Sequence, residues 1–449
     1  MYKLSYYHVV TDVINEPPAR PKHILYSTRT GRAVIIAGDI LRQIQAGDFS
    51  QASDKLLSTL FELEILVPAH ENEFESIIGE NYASVADPNV ASFTLQPGAN
   101  CQLGCHYCGQ KHTKNYMDET IYEKMLTRMD GILAKHSYEH LAITWYGGEP
   151  LMAWKQIRDL SPRLIAMARE RKVGYMANII TNGLSLKPDI FAELVKDHFV
   201  RTYQITVDGT KENHDTRRIT KSGEKTFDII YNNIRDCVNH PYYKEYHCGI
   251  AVRCNIDRSN YESILPFIQQ VYADGIGDHV KFQFAPIVDW GEVKGSQNSL
   301  SNDEFASIEI DWIMELVKRK GDIEIIPGRA YAPCMVVEPN SEVYDAFGNI
   351  MPCYEFSYTD MYQTDRHIIG NLKNAEETYS NDVVTRGWFQ DVKDGKSWCK
   401  TCKYFPVCGG GCPKSWLYGT PACPSFKFNM EDRLVLQYIM ESDKLAEVI

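Results

Sequence analysis

The chain has 449 residues, enough for two or three domains, and 44% apolar with 24% charged residues is an ordinary globular composition. A formal net charge of −12 argues against a protein that binds nucleic-acid backbones, because that function needs a basic face. No apolar run reaches the roughly 18 residues of a membrane-spanning helix, and no signal-peptide core is present at the N-terminus. We therefore expect a soluble, cytoplasmic protein with no nucleic-acid and no membrane partner. Thirteen cysteines in such a compartment are more often metal ligands than disulfides.

The first 88 residues are predicted to form a small domain of their own. Tyr2–Val13 is rich in aromatic and β-branched residues, which favours a strand. A hairpin, two short amphipathic helices, a wing strand and an acidic helix follow over His23–Thr28, Ala33–Ile36, Ile40–Ile44, Leu56–Phe61, Ile65–Pro68 and Glu71–Ser84. This order suggests a winged-helix fold. The alternative is a simple extension that packs on the main domain.

Residues 89–290 alternate between strand-like and helix-like segments. The six candidate strands are Ser92–Leu95, Leu141–Trp145, Met176–Thr181, Thr202–Val207, Gly249–Cys254 and Val280–Phe284. Helical patterns lie between them at Asp118–Lys135, Trp154–Lys172, Pro188–Asp197, Thr226–Val238 and Tyr261–Ala273. This α/β alternation indicates a parallel sheet that closes, fully or partly, into a barrel. In such folds the chemistry lies on the loops that follow the strands.

A CxxxCxxC run, Cys101 to Cys108, follows the first candidate strand directly. Three thiolates this close can hold three irons of a cubane iron–sulfur cluster and leave the fourth iron open to a cofactor. The alternatives are half of a zinc site or a disulfide pair. Zinc sites usually have four ligands, and no nearby cysteine or paired histidine completes this set.

Polar and glycine-rich turns end the next three candidate strands. Gly147-Gly148-Glu149-Pro150 can expose backbone groups to a ligand, and Glu149 is an acceptor suited to an ammonium group. Thr181-Asn-Gly183 and Thr206-Val-Asp208-Gly209 follow the third and fourth strands. Each motif alone is more often a simple turn than a site. Their recurrence at successive strand ends favours a site.

The C-terminal part contains a second group of cysteines. Residues 291–330 are predicted to form a bridging region with one helix, Asp303–Arg319, and Asn429–Val448 reads as a terminal helix. Between them lie Cys334, Cys353, Cys399, Cys402, Cys408, Cys412 and Cys423. Seven thiolates cannot fill two four-thiolate clusters. They suit one closed site with four ligands and one with three, or two zinc sites with a substitute ligand.

These motifs, in this order, resemble the radical S-adenosylmethionine (SAM) superfamily, and more narrowly its members with a C-terminal SPASM domain. The resemblance rests on the CxxxCxxC run with Tyr107 before its last cysteine, on the GGEP turn and on the spacing of the seven later cysteines. It implies a partial (β/α)6 TIM-type barrel over residues 89–290. It also implies a SPASM auxiliary-cluster domain with a C-terminal helix over residues 331–449.

The resemblance further implies roles for single residues. Cys101, Cys105 and Cys108 would hold a [4Fe–4S] cluster whose open iron binds SAM. The other SAM contacts would be Tyr107 near the adenine, Gly147, Gly148 and Glu149 at the methionine amino group, Thr206 near the ribose, and Arg218 near the carboxylate. One auxiliary [4Fe–4S] cluster would have Cys399, Cys402, Cys408 and Cys423 as ligands. The other would have Cys334, Cys353 and Cys412, with an open iron or a non-cysteine ligand.

The activity implied by the resemblance is that of a radical SAM oxidoreductase. SAM would be split into methionine and a 5′-deoxyadenosyl radical, which abstracts a hydrogen atom from carbon. We expect residues 1–88 to bind the leader of a ribosomally made precursor peptide as an added strand. We expect the enzyme to form a thioether or carbon–carbon cross-link, with electrons from a flavodoxin- or ferredoxin-type donor. The alternatives are a sulfatase-type maturase that oxidises Cys or Ser, with Asp289 as a candidate base, and a non-catalytic zinc-binding scaffold.

Overall fold

The structure is a computed structural model, described here for residues 2–14, 20–287, 298–359, 367–374 and 385–445. The chain forms two compact units. The first unit consists of Met1–Ala86, Asn302–Val337 and Gly387–Ile449, and the second consists of Asp87–Ser301 and Glu338–Arg386. No helix in the described part of the chain is long and apolar enough to cross a membrane.

The strands of the described residues are numbered along the chain. They are β1 (Tyr2–Leu4), β2 (His8–Val10), β3 (Lys22–Ser27), β4 (Arg32–Ala37), β5 (Leu66–Pro68), β6 (Val90–Leu95), β7 (His140–Trp145), β8 (Gly174–Thr181), β9 (Val200–Thr206), β10 (Gly249–Ile256), β11 (Val280–Pro286), β12 (Glu342–Tyr344), β13 (Asn349–Met351) and β14 (Gly370–Asn371).

The helices are numbered in the same way. They are α1 (Gly38–Gln45), α2 (Asp54–Glu62), α3 (Glu73–Ala86), α4 (Glu119–Leu133), α5 (Trp154–Arg171), α6 (Pro188–Lys196), α7 (Lys211–Arg217), α8 (Phe227–Asn239), α9 (Pro241–Glu245), α10 (Ile264–Ala273), α11 (Asn302–Lys318), α12 (Trp388–Lys393), α13 (Phe405–Cys408), α14 (Pro413–Leu417) and α15 (Phe426–Leu445, with a kink at Asn429).

One mixed sheet organises the second unit, in the order β11-β10-β9-β8-β7-β6-β12-β13-β14. The six strands from β6 to β11 run parallel to their neighbours, which confirms the six predicted strands and the α/β class. Strand β12 adds to β6 in parallel, and β13 and β14 continue in antiparallel pairing. The sequence did not predict this extension. Within the described residues β11 pairs with β10 alone, so strand pairing does not close the sheet.

The helices of the second unit follow the predicted amphipathic patterns. In α5 the buried residues Ile157, Leu160, Leu164 and Met167 recur every three or four positions, which places them on one face. The Asp118 side chain accepts a hydrogen bond from the Ile121 backbone N–H and so caps the start of α4. Helices packed on a parallel sheet leave the carboxyl ends of its strands available for a site.

The first unit contains two small antiparallel sheets, β2-β3-β4 and β1-β5. The predicted hairpin is confirmed as β3 and β4. The prediction of one continuous strand over Tyr2–Val13 is wrong. The chain bends at the buried Ser5, whose backbone N–H donates to the Ile65 carbonyl and whose hydroxyl donates to Glu73. The segment is thereby divided between the two sheets.

The hydrophobic core of the first unit joins residues that are far apart in sequence. Val9, Ile24 and Tyr26 of the N-terminal strands pack with a C-terminal set, Tyr404, Val407, Met430 and Leu434. The Thr28 hydroxyl also donates to the Lys403 carbonyl at 2.6 Å. Burial of these apolar side chains stabilises the N-terminal strands against the C-terminal segment.

Candidate functional site

The loops that follow five successive parallel strands meet at one edge of the large sheet. Glu149, after β7, contacts the Asn182 backbone after β8. Tyr107, after β6, contacts Asp208 after β9 and Asn255 near the end of β10. These contacts confirm that the motifs predicted at separate strand ends lie in one region of the second unit.

The three cysteines of the CxxxCxxC run lie in this region as free thiols. Burial raises the pKa of Cys101 to about 12, and the neighbouring Glu149 carboxylate adds to the shift. Burial raises the pKa of Cys105 to about 11, while the Arg218 guanidinium opposes the shift. Burial also raises the pKa of Cys108. A bound metal centre would stabilise the thiolate forms that burial disfavours.

The three thiols suit a cluster in which each sulfur would bind a different iron. The charges of Cys105 and Cys108 add to the rise in the pKa of Cys101 that burial causes, as expected of neighbouring groups. In the described part of the chain, no three His, Cys, Asp or Glu side chains converge closely enough to hold one metal ion. A cubane does not need such convergence, because its corner irons are separate atoms.

Polar groups of the chain surround two of these sulfurs. The Leu103 backbone N–H lies 3.4 Å from the Cys101 sulfur, and Asn182 Nδ2 lies 3.7 Å from it. His112 Nε2 lies 3.9 Å from the Cys108 sulfur. Burial lowers the pKa of His112 to about 4, so its ring is neutral at physiological pH. N–H donors beside a cluster sulfur are one of the features that set a cluster's reduction potential.

The GGEP turn supports the segment that leads into Cys101. The Glu149 backbone N–H donates to the Asn100 carbonyl at 2.8 Å. A Cβ on Gly148 would lie 2.4 Å from that same carbonyl oxygen, and one on Gly147 would lie 2.9 Å from the Gly98 oxygen. Only glycine permits this close approach of two backbone segments. The turn therefore positions the start of the cysteine loop.

The Glu149 carboxylate accepts hydrogen bonds from three other residues of the second unit. One carboxylate oxygen accepts from the Leu151 N–H at 2.9 Å and from the Thr181 hydroxyl at 2.7 Å. The other accepts from the Asn182 N–H at 2.7 Å. Burial raises the pKa of Glu149 despite these donors. The carboxylate thus ties the end of β7 to the end of β8, and the role of this turn at the methionine amino group stays a prediction.

We predict that Gly148→Ala lowers the cluster content of the purified protein. Its new Cβ forces the backbone before Cys101 to move, and overpacking of this kind costs about 1–3 kcal/mol of unfolding free energy. Iron per chain after anaerobic reconstitution and the denaturation midpoint are the measurements. Gly131→Ala in α4 is the matched control, because a Cβ there meets no atom within 4 Å. Equal iron content in both variants would contradict the positioning role.

A buried hydrogen-bond network surrounds Tyr107. Its hydroxyl donates to Asp208 Oδ2 at 2.6 Å and accepts from Arg218 Nη1 at 2.6 Å and from Asn255 Nδ2 at 3.1 Å. The Arg217 guanidinium lies over the Tyr107 ring at 5.5 Å and bonds to Asp257 at 2.8 Å. This network fixes the orientation of the aromatic side chain that precedes Cys108.

Arg218 is a buried cation whose charge acts on two of the three thiols. Burial raises the pKa of Cys105, Cys108 and Glu149, and the charge of Arg218 opposes the rise at each of them, so the guanidinium lies near all three groups. Its Nε is buried and has no hydrogen-bond partner among the described residues. A buried guanidinium with an unused donor fits an anionic ligand such as a carboxylate. Thr206 is buried at the end of β9, and its predicted place near the ribose stays a prediction.

Several residues of this network were not predicted as site residues. Asn182 and Asp208 lie in turns that can be recognised in the sequence, because polar residues follow an apolar strand at both positions. Asn255 lies at the end of β10 and Asp257 directly follows it, and this position was the available signal. Their partners could not be predicted, because each partner lies in a loop after a different strand.

Four cysteines line one cavity in the first unit. Cys399, Cys402, Cys408 and Cys423 all line this cavity, and they are the set predicted for a closed auxiliary cluster. Burial raises the pKa of Cys399 to about 11 and that of Cys408 to about 12, and the neighbouring thiols add to both shifts. A Cβ on Gly411 would lie 2.1 Å from the Ala422 oxygen, so glycine lets the chain fold tightly here.

The other predicted cluster ligands are distributed between the two units. Cys334 is exposed and Cys412 is half-buried in the first unit, and Cys353 is buried in the second. Their common cluster stays a prediction. The candidate base Asp289 lies outside the described residues.

Comparisons with known proteins identify the domain that holds the CxxxCxxC run. Residues 95–248 match the model of the Radical SAM superfamily. The chain is 22% identical over 348 residues to a cysteine-type anaerobic sulfatase-maturating enzyme of Clostridium novyi, covering 72% of this chain and 88% of that relative.

Two solved structures share the fold. Native anSMEcpe with bound AdoMet and a Kp18Cys peptide superimposes with a TM-score of 0.56 at 18% identity, over 79% of this chain and 100% of that one. Streptococcus suis SuiB bound to S-adenosylmethionine gives a TM-score of 0.51 at 14% identity, over 94% of this chain and 98% of that one.

Proposed function

We propose that the chain, in which residues 95–248 match the Radical SAM superfamily, modifies a precursor peptide by radical chemistry. When bound, the [4Fe–4S] cluster and SAM supply a radical that removes a hydrogen atom from an unreactive carbon. The observation that supports this assignment is the buried Arg218 guanidinium, which donates at 2.6 Å to the hydroxyl of Tyr107, a residue between Cys105 and Cys108. These groups suit a cluster and the carboxylate of SAM.

The residues of the chain orient the cofactors and keep water away. Arg218 and Asp208 hold the Tyr107 hydroxyl from two sides, so the ring cannot turn without breaking charge-assisted hydrogen bonds. Both charged side chains are almost fully buried. Such preorganisation places a ligand without a reorganisation cost during the reaction.

A peptide substrate is favoured by one relative and by one surface. The anSMEcpe structure contains a bound Kp18Cys peptide. In the first unit, β4 is an edge of its three-stranded sheet among the described residues, and Ile35 on this strand is 47% exposed. An exposed apolar edge strand is a template for a further strand. We assign the leader of the precursor peptide to this edge.

The second set of cysteines gives the proposed reaction an oxidant. Hydrogen abstraction followed by bond formation removes two electrons from the peptide in total. The four-thiolate cavity would hold one auxiliary cluster, Cys334, Cys353 and Cys412 would hold another, and such clusters would supply a one-electron acceptor. We propose a thioether or carbon–carbon cross-link as the product: a C–H bond breaks as its hydrogen atom leaves to the radical, the new bond forms, and one electron and one proton leave the peptide.

A sulfatase-type maturase is the second candidate. It is favoured by the Clostridium novyi relative, 88% of whose length aligns with this chain. In that case the enzyme would oxidise a Cys or Ser side chain of a protein to an aldehyde instead of joining two residues.

Mass spectrometry separates these outcomes. The enzyme is incubated anaerobically with SAM, reductant and either a short peptide encoded beside its gene or a sulfatase peptide. A loss of two hydrogens without reaction toward a hydrazide indicates a cross-link, and a hydrazide adduct indicates an aldehyde. Cleavage of SAM with neither peptide altered would overturn the proposal.

We predict that Ile35→Lys weakens binding of the precursor peptide at least tenfold and leaves peptide-independent SAM cleavage unchanged. The added charge opposes the approach of an apolar strand to β4, whereas the long stem of lysine can still cover the sheet. Fluorescence anisotropy of a labelled peptide measures the affinity. Ile229→Lys is the matched control, because Ile229 is 49% exposed on α8 of the second unit. An equal loss in both variants would contradict a leader site at β4.

A further inference from the structure

An exposed tryptophan lies directly beside the four-cysteine cavity. Trp398 lines this cavity together with Cys399 and Cys423, yet the residue is 50% exposed. Its ring also packs edge-on against Trp416, with the centroids 4.6 Å apart. One conjugated side chain therefore extends from the candidate cluster ligands to the solvent.

Two further side chains, Phe428 and Lys427, lie near this ring. Phe428 is 47% exposed, and the Lys427 ammonium lies 5.6 Å from the Trp398 ring centroid and 5.8 Å from that of Phe428. The same ammonium group donates to the Cys423 sulfur at 3.4 Å. Exposed large aromatic side chains that cluster in this way mark interaction sites more often than ordinary surface. We call Trp398, Phe428, Lys400, Lys403 and Lys427 the Trp398 patch.

The charge around the Trp398 patch is opposite to that of the whole chain. Residues 385–428 contain seven basic and two acidic residues, in a chain with a net charge of −12. Lys393 and Lys396 are paired with Glu75 and Asp391. Lys400, Lys403 and Lys427 instead lie near aromatic rings, and no carboxylate pairs with them among the described residues. Lys400 also donates to the Lys393 carbonyl at 2.8 Å, a bond that leaves its charge uncompensated. Their charge is available to an acidic partner.

We infer that the Trp398 patch docks a small acidic protein that carries one electron, of the flavodoxin or ferredoxin type. The inference rests on the proposed function, since it requires a cluster in the four-cysteine cavity. The carrier exchanges one electron with that cluster: its oxidised form would remove the electron that peptide oxidation leaves there, its reduced form would return one, and no bond forms or breaks. Electron-transfer encounters bury little surface, and complementary charge sets their association rates. A compact aromatic centre with a basic rim matches both requirements.

Charge reversal at the rim tests the inference on the full, cluster-loaded chain. The variant Lys400→Glu/Lys403→Glu changes no cluster ligand candidate. Recombinant reduced flavodoxin is mixed with each protein in a stopped-flow instrument, and bleaching near 400 nm reports cluster reduction. We expect the second-order rate constant to fall at least about tenfold at low salt and to lose most of its salt dependence. Reduction by dithionite should proceed at the unaltered rate.

A charge-reversal control elsewhere on the surface and a cross-linking experiment show whether the effect belongs to the Trp398 patch. Lys155→Glu/Lys196→Glu makes the same charge change on exposed lysines of the second unit, and the rate constant should stay near that of the parent. Carbodiimide should join Lys400 or Lys403 to flavodoxin carboxylates. An unchanged rate constant in the first variant, or cross-links only elsewhere, would overturn the inference. The assay contains no peptide, so a failure of peptide modification leaves its result intact.

Discussion

Simultaneous replacement of Cys101, Cys105 and Cys108 by alanine should reduce SAM cleavage to the rate without enzyme. The three thiolates are the ligands proposed for the cluster, and no fourth cysteine lies near enough in sequence to replace one of them. The iron content should fall by about four atoms per chain while the auxiliary sites keep theirs. Formation of 5′-deoxyadenosine by chromatography and iron by colorimetric assay are the measurements.

The control for this experiment is a cysteine outside both groups. Cys248 is partly buried as Cys105 is, but it lies before β10 and contacts no predicted ligand in the structure. Cys248→Ala should therefore retain full iron content and full SAM cleavage. Retention of SAM cleavage by the triple variant would show that the cluster is held elsewhere.

Arg218→Met should both destabilise the second unit and abolish tight SAM binding. Removal of one member of a buried charged network leaves Asp208 with weaker compensation, which costs about 3 kcal/mol of unfolding free energy. The Arg217 Nε lies 3.8 Å from Asp208 and compensates only in part. Urea unfolding midpoints and equilibrium dialysis with labelled SAM measure the two effects.

Two comparisons separate the charge of Arg218 from its shape. Arg218→Lys keeps the charge but not the planar guanidinium, so stability should recover largely while SAM affinity stays low. Arg163→Met removes an exposed arginine that pairs with Glu119 and Glu123, and it should cost less than about 1 kcal/mol. Equal SAM affinity in Arg218→Lys and the parent would show that bidentate geometry is not used.

The periodicity of the chain was sufficient to predict the parallel sheet and the placement of its motifs. In strands such as β7, buried apolar residues alternate with less buried ones or form a continuous apolar run, and turn residues lie on both sides. The ends of these strands were predicted within a few residues. What could not be predicted were contacts between loops. The bond from Tyr107 to Asp208 joins residues about a hundred positions apart, and no local pattern encodes it.

Long-range contacts also override the local strand preference of some segments, so these segments could not be predicted from the sequence. Tyr2–Val13 has the composition of one strand, yet Ser5 bonds to Ile65 and to Glu73 and the chain bends there. Strand β12 is three residues long and is held in the sheet by pairing with β6 and β13. Tertiary pairing decides such short elements, because strand propensity depends strongly on context.

The shared core of the first unit has a consequence for synthesis on the ribosome. Tyr26 packs with Met430 and Leu434, which emerge some four hundred residues later. During translation the apolar side chains of the N-terminal strands therefore stay exposed until the strands of the parallel sheet and the C-terminal segment have been synthesised. Such a delay favours association with chaperones. If the four-cysteine cavity holds the proposed cluster, insertion of its iron would be one of the last events in the maturation of this chain.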